Sequence, residues 1–285
     1  IMAKIQSIIN QGDKILLTGS NDLVNGMYSI ELIVYAALME LFDNVDITNG
    51  KLATNPKAEE FLAMLDYKIY QALKKSGYPA YVGDFIKNYD KISSNVIDLH
   101  QALGNGIIQN KDVKSIQRLE IQKTVANLTE QGMYKEFIAP VREGLYRNIM
   151  FGATVGETED FIKSQVISNK KKDSRLTRYV GQVATDALHQ FDGSVNQVAK
   201  NSLQLNATQY VGSLIEDSRA QCMKWVSMSI IKDSDLEEEI KWALNGGRYS
   251  NKKCSGMIEN TTVDTFCINR GGYRCRHRAF PILVK

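Results

Sequence analysis

Apolar residues recur at helical spacing along most of the chain and predict a mainly α-helical protein. The apolar stretch from Ile30 to Phe42 predicts a buried helix, after a first helical piece that is interrupted at Gly12-Asp13. A second helix is predicted to begin at Pro56 and to end at Lys74-Lys75, before Gly77. Its acidic first turn and basic last turn suit the helix dipole, so charge and periodicity predict the same bounds.

Further along the chain, the pattern predicts helices over residues 82–103, 111–128, 133–150, 175–203 and 225–244. From Gln209 the helical period changes to a two-residue period, in which Tyr210, Gly212, Leu214 and Glu216 alternate with Val211, Ser213, Ile215 and Asp217, and this change predicts a strand. We therefore expect a helical region over residues 1–150. A second part, residues 151–285, is expected to hold a long helix and a small α+β module rich in Cys, His and Arg.

Composition agrees with this fold class and excludes few functions. The chain has only 4 prolines, with 44% hydrophobic and 24% charged residues, as in an ordinary globular protein. The longest apolar run is too short to span a bilayer, and no signal-peptide pattern precedes it, so we expect no membrane partner and synthesis in a cytoplasm. The net charge of +3 is too small to predict nucleic-acid binding over the whole surface.

The chemically demanding residues gather near the end of the sequence. All four cysteines lie there, together with one of the three histidines: Cys222, Cys254, Cys267, Cys275 and His277. Structural zinc normally uses two close ligand pairs, and only Cys275-Arg-His277 is a close pair here, so zinc is one interpretation and the metal stays undetermined. Disulfides between Cys222 and Cys275 or between Cys254 and Cys267 are a second interpretation, and free buried thiols are a third.

Two functional alternatives use the same segment. Cys222 and His277 could form a Cys/His nucleophilic site if Asp217 oriented the imidazole. The arginine-rich strip with Arg270, Arg274 and Arg278 could instead contact nucleic acid. Neither a hydrolase signature nor a phosphate-binding glycine loop accompanies these residues, so we expect no enzyme and no cofactor apart from the zinc alternative.

The order of residues in the last two fifths of the chain resembles a known family. Glu216-Asp-Ser-Arg219 and Cys222 follow the long helix, and Gly271-Gly-Tyr-Arg-Cys-Arg-His277 comes before a short apolar end. Over roughly residues 175–284 this order resembles the C-terminal region of the Mu F-like head morphogenesis proteins, which are minor head proteins of tailed phages. The chain departs from the family pattern after its first cysteine, where Met223-Lys-Trp225 stands in place of an Asp-Gly type of turn.

The resemblance implies a bacteriophage virion structural protein, made in the host bacterial cytoplasm and associated with the portal or the capsid interior. Its partners would be other virion proteins in an oligomeric assembly, and packaged DNA, and its role would lie in head assembly or in DNA packaging and delivery. We expect charge-assisted hydrogen bonds of Asp217, Arg219, Arg276 and His277 to hold the C-terminal module together. The four cysteines would assist by burial or by bridging.

Overall fold

The computed structural model describes residues 2–284, with side chains from residue 3, and is 68% helical. The predicted fold class, mainly α with a small α+β part near the C-terminus, is confirmed. Internal contacts divide the chain into two compact units. The first unit comprises the residues up to 18, residues 87–121 and the residues from 185 onward, and the second comprises residues 19–86 and 122–184. This division differs from the predicted one at residue 150, because each unit combines segments that are distant in sequence.

The helices and strands have the following bounds in chain order. The α-helices are α1 (Met2–Phe42), α2 (Pro56–Lys75), α3 (Tyr78–Ile86), α4 (Asn88–Ala102), α5 (Asn110–Thr129), α6 (Gln131–Met133), α7 (Ala139–Met150), α8 (Val155–Val166), α9 (Arg175–Ser202), α10 (Ala220–Met228), α11 (Asp233–Leu244) and α12 (Phe266–Asn269). A π-helical turn (Tyr134–Ile138) precedes α7, and a 3₁₀ turn (Val263–Thr265) precedes α12. The strands are β1 (Ile47–Thr48), β2 (Lys51–Leu52), β3 (Ala207–Val211), β4 (Ile230–Lys232), β5 (Arg248–Tyr249), β6 (Lys252–Lys253) and β7 (Arg278–Ile282).

Helix α2 forms where its local signals predict it. The side chain of Asn55 accepts a hydrogen bond from the backbone N–H of Ala58 at 3.1 Å, and Pro56 occupies the first turn. Lys74 and Lys75 lie in the last turn, as expected from the helix dipole. Helix α9 is likewise confirmed, since it covers Arg175–Ser202 against the predicted 175–203.

Helix α1 continues through Gly12-Asp13, so the predicted interruption there is wrong. Gly12 does not form a turn, and its lack of a side chain leaves space for neighbouring side chains. A Cβ atom at this position would lie 2.3 Å from Nη1 of Arg278 and 2.4 Å from Oδ1 of Asn95. The missing side chain therefore lets a buried arginine approach the helix backbone closely.

The apolar run at Ile30–Phe42 belongs to a helix longer than the run itself. By length and composition alone, the segment Ala3–Phe42 of α1 is long and apolar enough to cross a membrane. In the protein, 39% of the most apolar 18-residue part of this segment is buried. Core helices of soluble proteins and signal sequences meet the same criterion.

The predicted helix over residues 225–244 is divided by a strand. Ser229 ends α10 with a φ of 61°, in the left-handed region, and β4 follows at once. Strand β3 lies at the centre of a three-stranded antiparallel sheet, between β4 and β7. This sheet, together with α10–α12, forms the C-terminal module, defined here as residues 207–284. Its core includes the buried aromatic side chains of Tyr210, Trp225 and Phe266.

Candidate functional site

Four polar side chains meet in the core of the C-terminal module. Cys222 lies on α10, Tyr210 on β3, and Cys275 and His277 on the segment between α12 and β7. The two Sγ atoms are 3.9 Å apart, and Nδ1 of His277 lies 3.6 Å from Sγ of Cys275. The Tyr210 hydroxyl donates to Sγ of Cys222 at 3.6 Å and lies 3.3 Å from Sγ of Cys275. These four residues are called the Cys/His cluster below.

Regular local structure brings the cluster together. Tyr210 pairs with Ala279 across the β3–β7 register, and its side chain is buried. Its ring stacks on His277 with centroids 5.5 Å apart, and meets the edge of Trp225, also at 5.5 Å. Cys222 and Trp225 are three residues apart on α10, so both project from the same helix face into this core.

Gly271 allows the two sulfur atoms to approach the loop before β7. A Cβ atom at this position would lie 2.3 Å from Sγ of Cys222 and 3.0 Å from Sγ of Cys275. It would also lie 3.0 Å from the Tyr210 hydroxyl. The glycine backbone therefore forms one wall of the cluster and leaves space only for a hydrogen atom.

The hydrogen bond between the two thiols of the cluster shifts their pKa values in opposite directions. The hydrogen bond from Cys222 lowers the pKa of Cys275 well below its ordinary value, and a hydrogen bond to His277 adds to this effect against the cost of burial. The same bond between the thiols, followed by burial, raises the pKa of Cys222. Burial also raises the pKa of Tyr210 well above its ordinary value. Of the two thiols, Cys275 is therefore the one that loses its proton more readily.

All four cysteines are free and buried, so the disulfide interpretation does not hold in this structure. Cys222 and Cys275 are in contact, as one predicted pairing required, but they are not bonded. Cys254 and Cys267 lie outside the group of potential metal ligands that Cys222, Cys275 and His277 form. Burial raises the pKa of Cys267 to about 12 and also raises that of Cys254, so both are protonated thiols at neutral pH.

Arg219 binds the loop that carries the cluster. Its guanidinium donates to the carbonyl oxygen of Gly271 at 2.8 Å and to that of Tyr273. Gln221 also donates to the Gly271 carbonyl, at 3.1 Å, and to that of Ser255, at 2.7 Å. The side chains of Arg219 and Gln221 thereby join the beginning of α10 to the segment before β7.

Asp217 and Arg276 occupy a different environment from Arg219. Both side chains are exposed, and neither forms a hydrogen bond or an ion pair with the other described residues of the module. Nε2 of His277 is buried without a hydrogen-bond partner in the part of the chain that the structure describes. Asp217 therefore does not orient the His277 imidazole, and the predicted Cys222/His277/Asp217 arrangement is not assembled.

Two of the three arginines predicted to contact nucleic acid are buried. Arg270 is 3% exposed and donates to the carbonyl oxygens of His189 and Cys275. Arg278 is 2% exposed. Arg274 is exposed, and its backbone N–H donates to Oδ1 of Asp186 at 3.2 Å. The prediction is therefore wrong for Arg270 and Arg278, because neither guanidinium reaches the surface.

Arg278 is the centre of a buried charge network that the sequence did not reveal. Its Nη2 and Nε atoms donate to the Asp192 carboxylate at 2.6 and 3.2 Å. Nη1 donates to the Ile9 carbonyl oxygen at 3.2 Å and to Oδ1 of Asp13 at 3.3 Å. The guanidinium also lies 4.5 Å from the centroid of the Phe280 ring. Helices α1 and α9 are thus connected to β7 within the first unit.

Comparisons of the chain with protein-family models, with curated proteins and with solved structures find no match.

We expect Arg219→Ala to lower the stability of the C-terminal module by about 1–2 kcal/mol, because two carbonyl oxygens lose a charged donor. The exposed Arg276→Ala variant is the matched control and should stay within about 0.5 kcal/mol of the wild type. Urea unfolding followed by circular dichroism measures both variants. Equal stability of the two variants would contradict the role assigned to Arg219.

Acid should destabilise the first unit through His189, which is buried on α9. Burial, followed by repulsion from Arg270, lowers the pKa of this ring to about 3, against 6.5 in the unfolded chain. Between these values only the unfolded chain binds the proton, so stability falls as the pH decreases from about 6.5 towards 3. His189→Gln should flatten this decline in urea midpoints measured from pH 7 to pH 4, and an unchanged slope would contradict the assignment.

Proposed function

We propose that the chain is a non-enzymatic structural protein of a tailed-phage virion. It would act by protein–protein contacts at the portal or capsid, in head assembly or in DNA packaging and delivery. One observation carries the proposal: the two separate segments that resemble Mu F-like proteins, residues 216–222 and 271–277, converge in one module. Arg219 binds the second segment through two carbonyl oxygens, and Cys222 contacts Cys275.

The environment of the thiols supports a structural role over a catalytic one. Cys222 is 3% exposed, Cys275 5% and His277 7%, and Gly271 closes one side of the cluster. A nucleophilic cysteine has to be reached by its substrate, and its base has to be oriented by a third group. Burial of the thiols and the exposed position of Asp217 both favour a role in holding the module together.

Exposed apolar side chains on the second unit offer surface for assembly. Tyr146 and Met150 are 50% and 49% exposed and lie four residues apart on α7, so they share one helix face. Phe151 follows directly and is 84% exposed. Large apolar side chains grouped at a surface are typical of protein–protein contact sites.

Incorporation into particles tests the proposal. An epitope-tagged chain is expressed in its host bacterium during particle production, and nuclease-treated particles are separated on a density gradient. The tagged chain should sediment with DNA-filled heads, and Phe151→Asp should reduce its incorporation while the exposed control Leu214→Asp leaves it unchanged. Complete, filled heads that lack the chain would contradict the proposal.

A further inference from the structure

We propose that the Cys/His cluster is a zinc site, with Cys222, Cys275 and His277 as ligands and the Tyr210 hydroxyl facing the fourth coordination position. Thiolate sulfur and imidazole nitrogen are the ligands that structural zinc uses, and soft sulfur ligands disfavour magnesium and calcium. From the sequence only Cys275 and His277 formed a close ligand pair, and the structure adds Cys222 to them. It is also independent of the virion proposal, since it depends only on the interior of the C-terminal module.

The distances within the cluster match those that a zinc ion imposes. Tetrahedral angles, with Zn–S near 2.3 Å and Zn–N near 2.0–2.1 Å, place two sulfur ligands about 3.8 Å apart and sulfur and nitrogen about 3.6 Å apart. The observed separations are 3.9 Å between the sulfurs and 3.6 Å from Sγ of Cys275 to Nδ1 of His277. The three ligand atoms all lie within 4.8 Å of one another, so a single ion could contact all of them.

The Tyr210 hydroxyl closes the fourth coordination position of the site to bulk water. Its hydroxyl oxygen lies 3.6 and 3.3 Å from the two sulfurs, close to the roughly 3.5 Å expected between ligands of one tetrahedral ion. The residue is 1% exposed, so this oxygen, and not bulk water, occupies the remaining side. A closed fourth position is characteristic of structural zinc, whereas catalytic zinc keeps that position open.

The connectivity explains what the ion would stabilise. Cys222 and Cys275 are 53 residues apart in sequence, and they lie on α10 and on the segment before β7. An ion bound by both would join these distant segments, and because the site exists only in the folded chain, its binding free energy would stabilise the fold. It would also replace weak thiol hydrogen bonds, which are the partners these buried polar groups otherwise have.

A titration of the full-length chain with cobalt tests the site. The purified protein is treated with a chelator, dialysed and titrated with Co²⁺, and the bound Co²⁺ is then displaced with Zn²⁺. The wild type should bind one Co²⁺ per chain, with a thiolate charge-transfer band and the visible bands of tetrahedral coordination. Cys222→Ser and Cys275→Ser should abolish these bands, and Tyr210→Phe should weaken binding by about 10–100-fold.

Cys254→Ser is the matched control, since Cys254 is buried in the same core but lies outside the cluster. It should bind Co²⁺ as the wild type does. Because a ligand variant can fail to fold, thermal unfolding gives a second readout: stoichiometric Zn²⁺ should raise the midpoint of both the wild type and Cys254→Ser. Absence of tetrahedral bands in the wild type, or midpoints that zinc leaves unchanged, would overturn the site. Neither result depends on whether the chain enters particles.

Discussion

Arg278→Met is expected to lower the free energy of unfolding by about 3–5 kcal/mol, because it leaves the Asp192 carboxylate buried without its cation. Both side chains of the ion pair are only 2% exposed. Methionine keeps the apolar stem that packs on Phe280, so the loss comes mainly from the charge and its hydrogen bonds. Urea unfolding followed by circular dichroism measures the change.

Two further variants separate charge from packing in this network. Arg276→Met changes an exposed arginine two residues away and should cost no more than about 0.5 kcal/mol. Adding Asp192→Leu to Arg278→Met should recover part of the lost stability, because the double variant no longer buries an unpaired carboxylate. If Arg278→Met unfolded at the same urea concentration as Arg276→Met, the buried network would not contribute to stability.

Glu31→Ala is expected to destabilise the second unit by about 3 kcal/mol, since it removes the acceptor for several buried donors. The Glu31 carboxylate is 2% exposed and accepts hydrogen bonds from the backbone N–H and hydroxyl of Ser168 at 2.8 and 2.7 Å. The hydroxyls of Ser174 and Thr177 also donate to it, each at 2.5 Å. Without the carboxylate, these groups in the connection before α9 and in its first turn would lose their common partner.

The matched control for Glu31 lies on the same helix. Glu40 has a side chain that is 74% exposed and lies 3.8 Å from Lys68, so Glu40→Ala should change stability by less than about 1 kcal/mol. Amide hydrogen exchange gives a local readout, and Glu31→Ala should speed exchange near Ser174 and Thr177. Unchanged exchange at these amides would contradict the role of the carboxylate.

The elements predicted correctly are those whose signals are local. Helix α2 has its cap, its proline and its charged ends within its own sequence, and α9 has an apolar stripe along its whole length. The missed features depend on distant residues. Gly12 is a residue type that is common in turns, but here it allows the close approach of Arg278, which is distant in sequence. Strand β4 was missed because three residues form a strand only when β3 lies beside them.

The division into units could not be predicted for a similar reason. Its boundaries at residues 18, 121 and 184 fall within helices α1, α5 and α9, where no change in composition marks them. Long-range contacts alone define such units, and hydrophobic periodicity reports only which face of each helix is buried.

The sequence singled out three residues of the Cys/His cluster but not Tyr210, and it did not predict their arrangement. The sequence identified Cys222, Cys275 and His277 as chemically demanding, yet their spacing does not determine which cysteine joins the close pair. The burial of Arg278 was missed because a run of arginines resembles a solvated surface. One sequence signal could have predicted buried charge. Glu31 and Asp192 are each an isolated acidic residue on an apolar helix face, and such a residue needs a buried partner.

The rate at which each cysteine reacts in the native protein tests the structural role most directly. The protein is incubated with iodoacetamide near neutral pH, and modification of the four thiols is followed by peptide mass spectrometry. Buried structural thiols should all react slowly, at rates that rise together when urea unfolds the chain. Rapid modification of Cys222 or Cys275 alone in the folded protein would contradict a structural role and indicate an accessible, activated nucleophile.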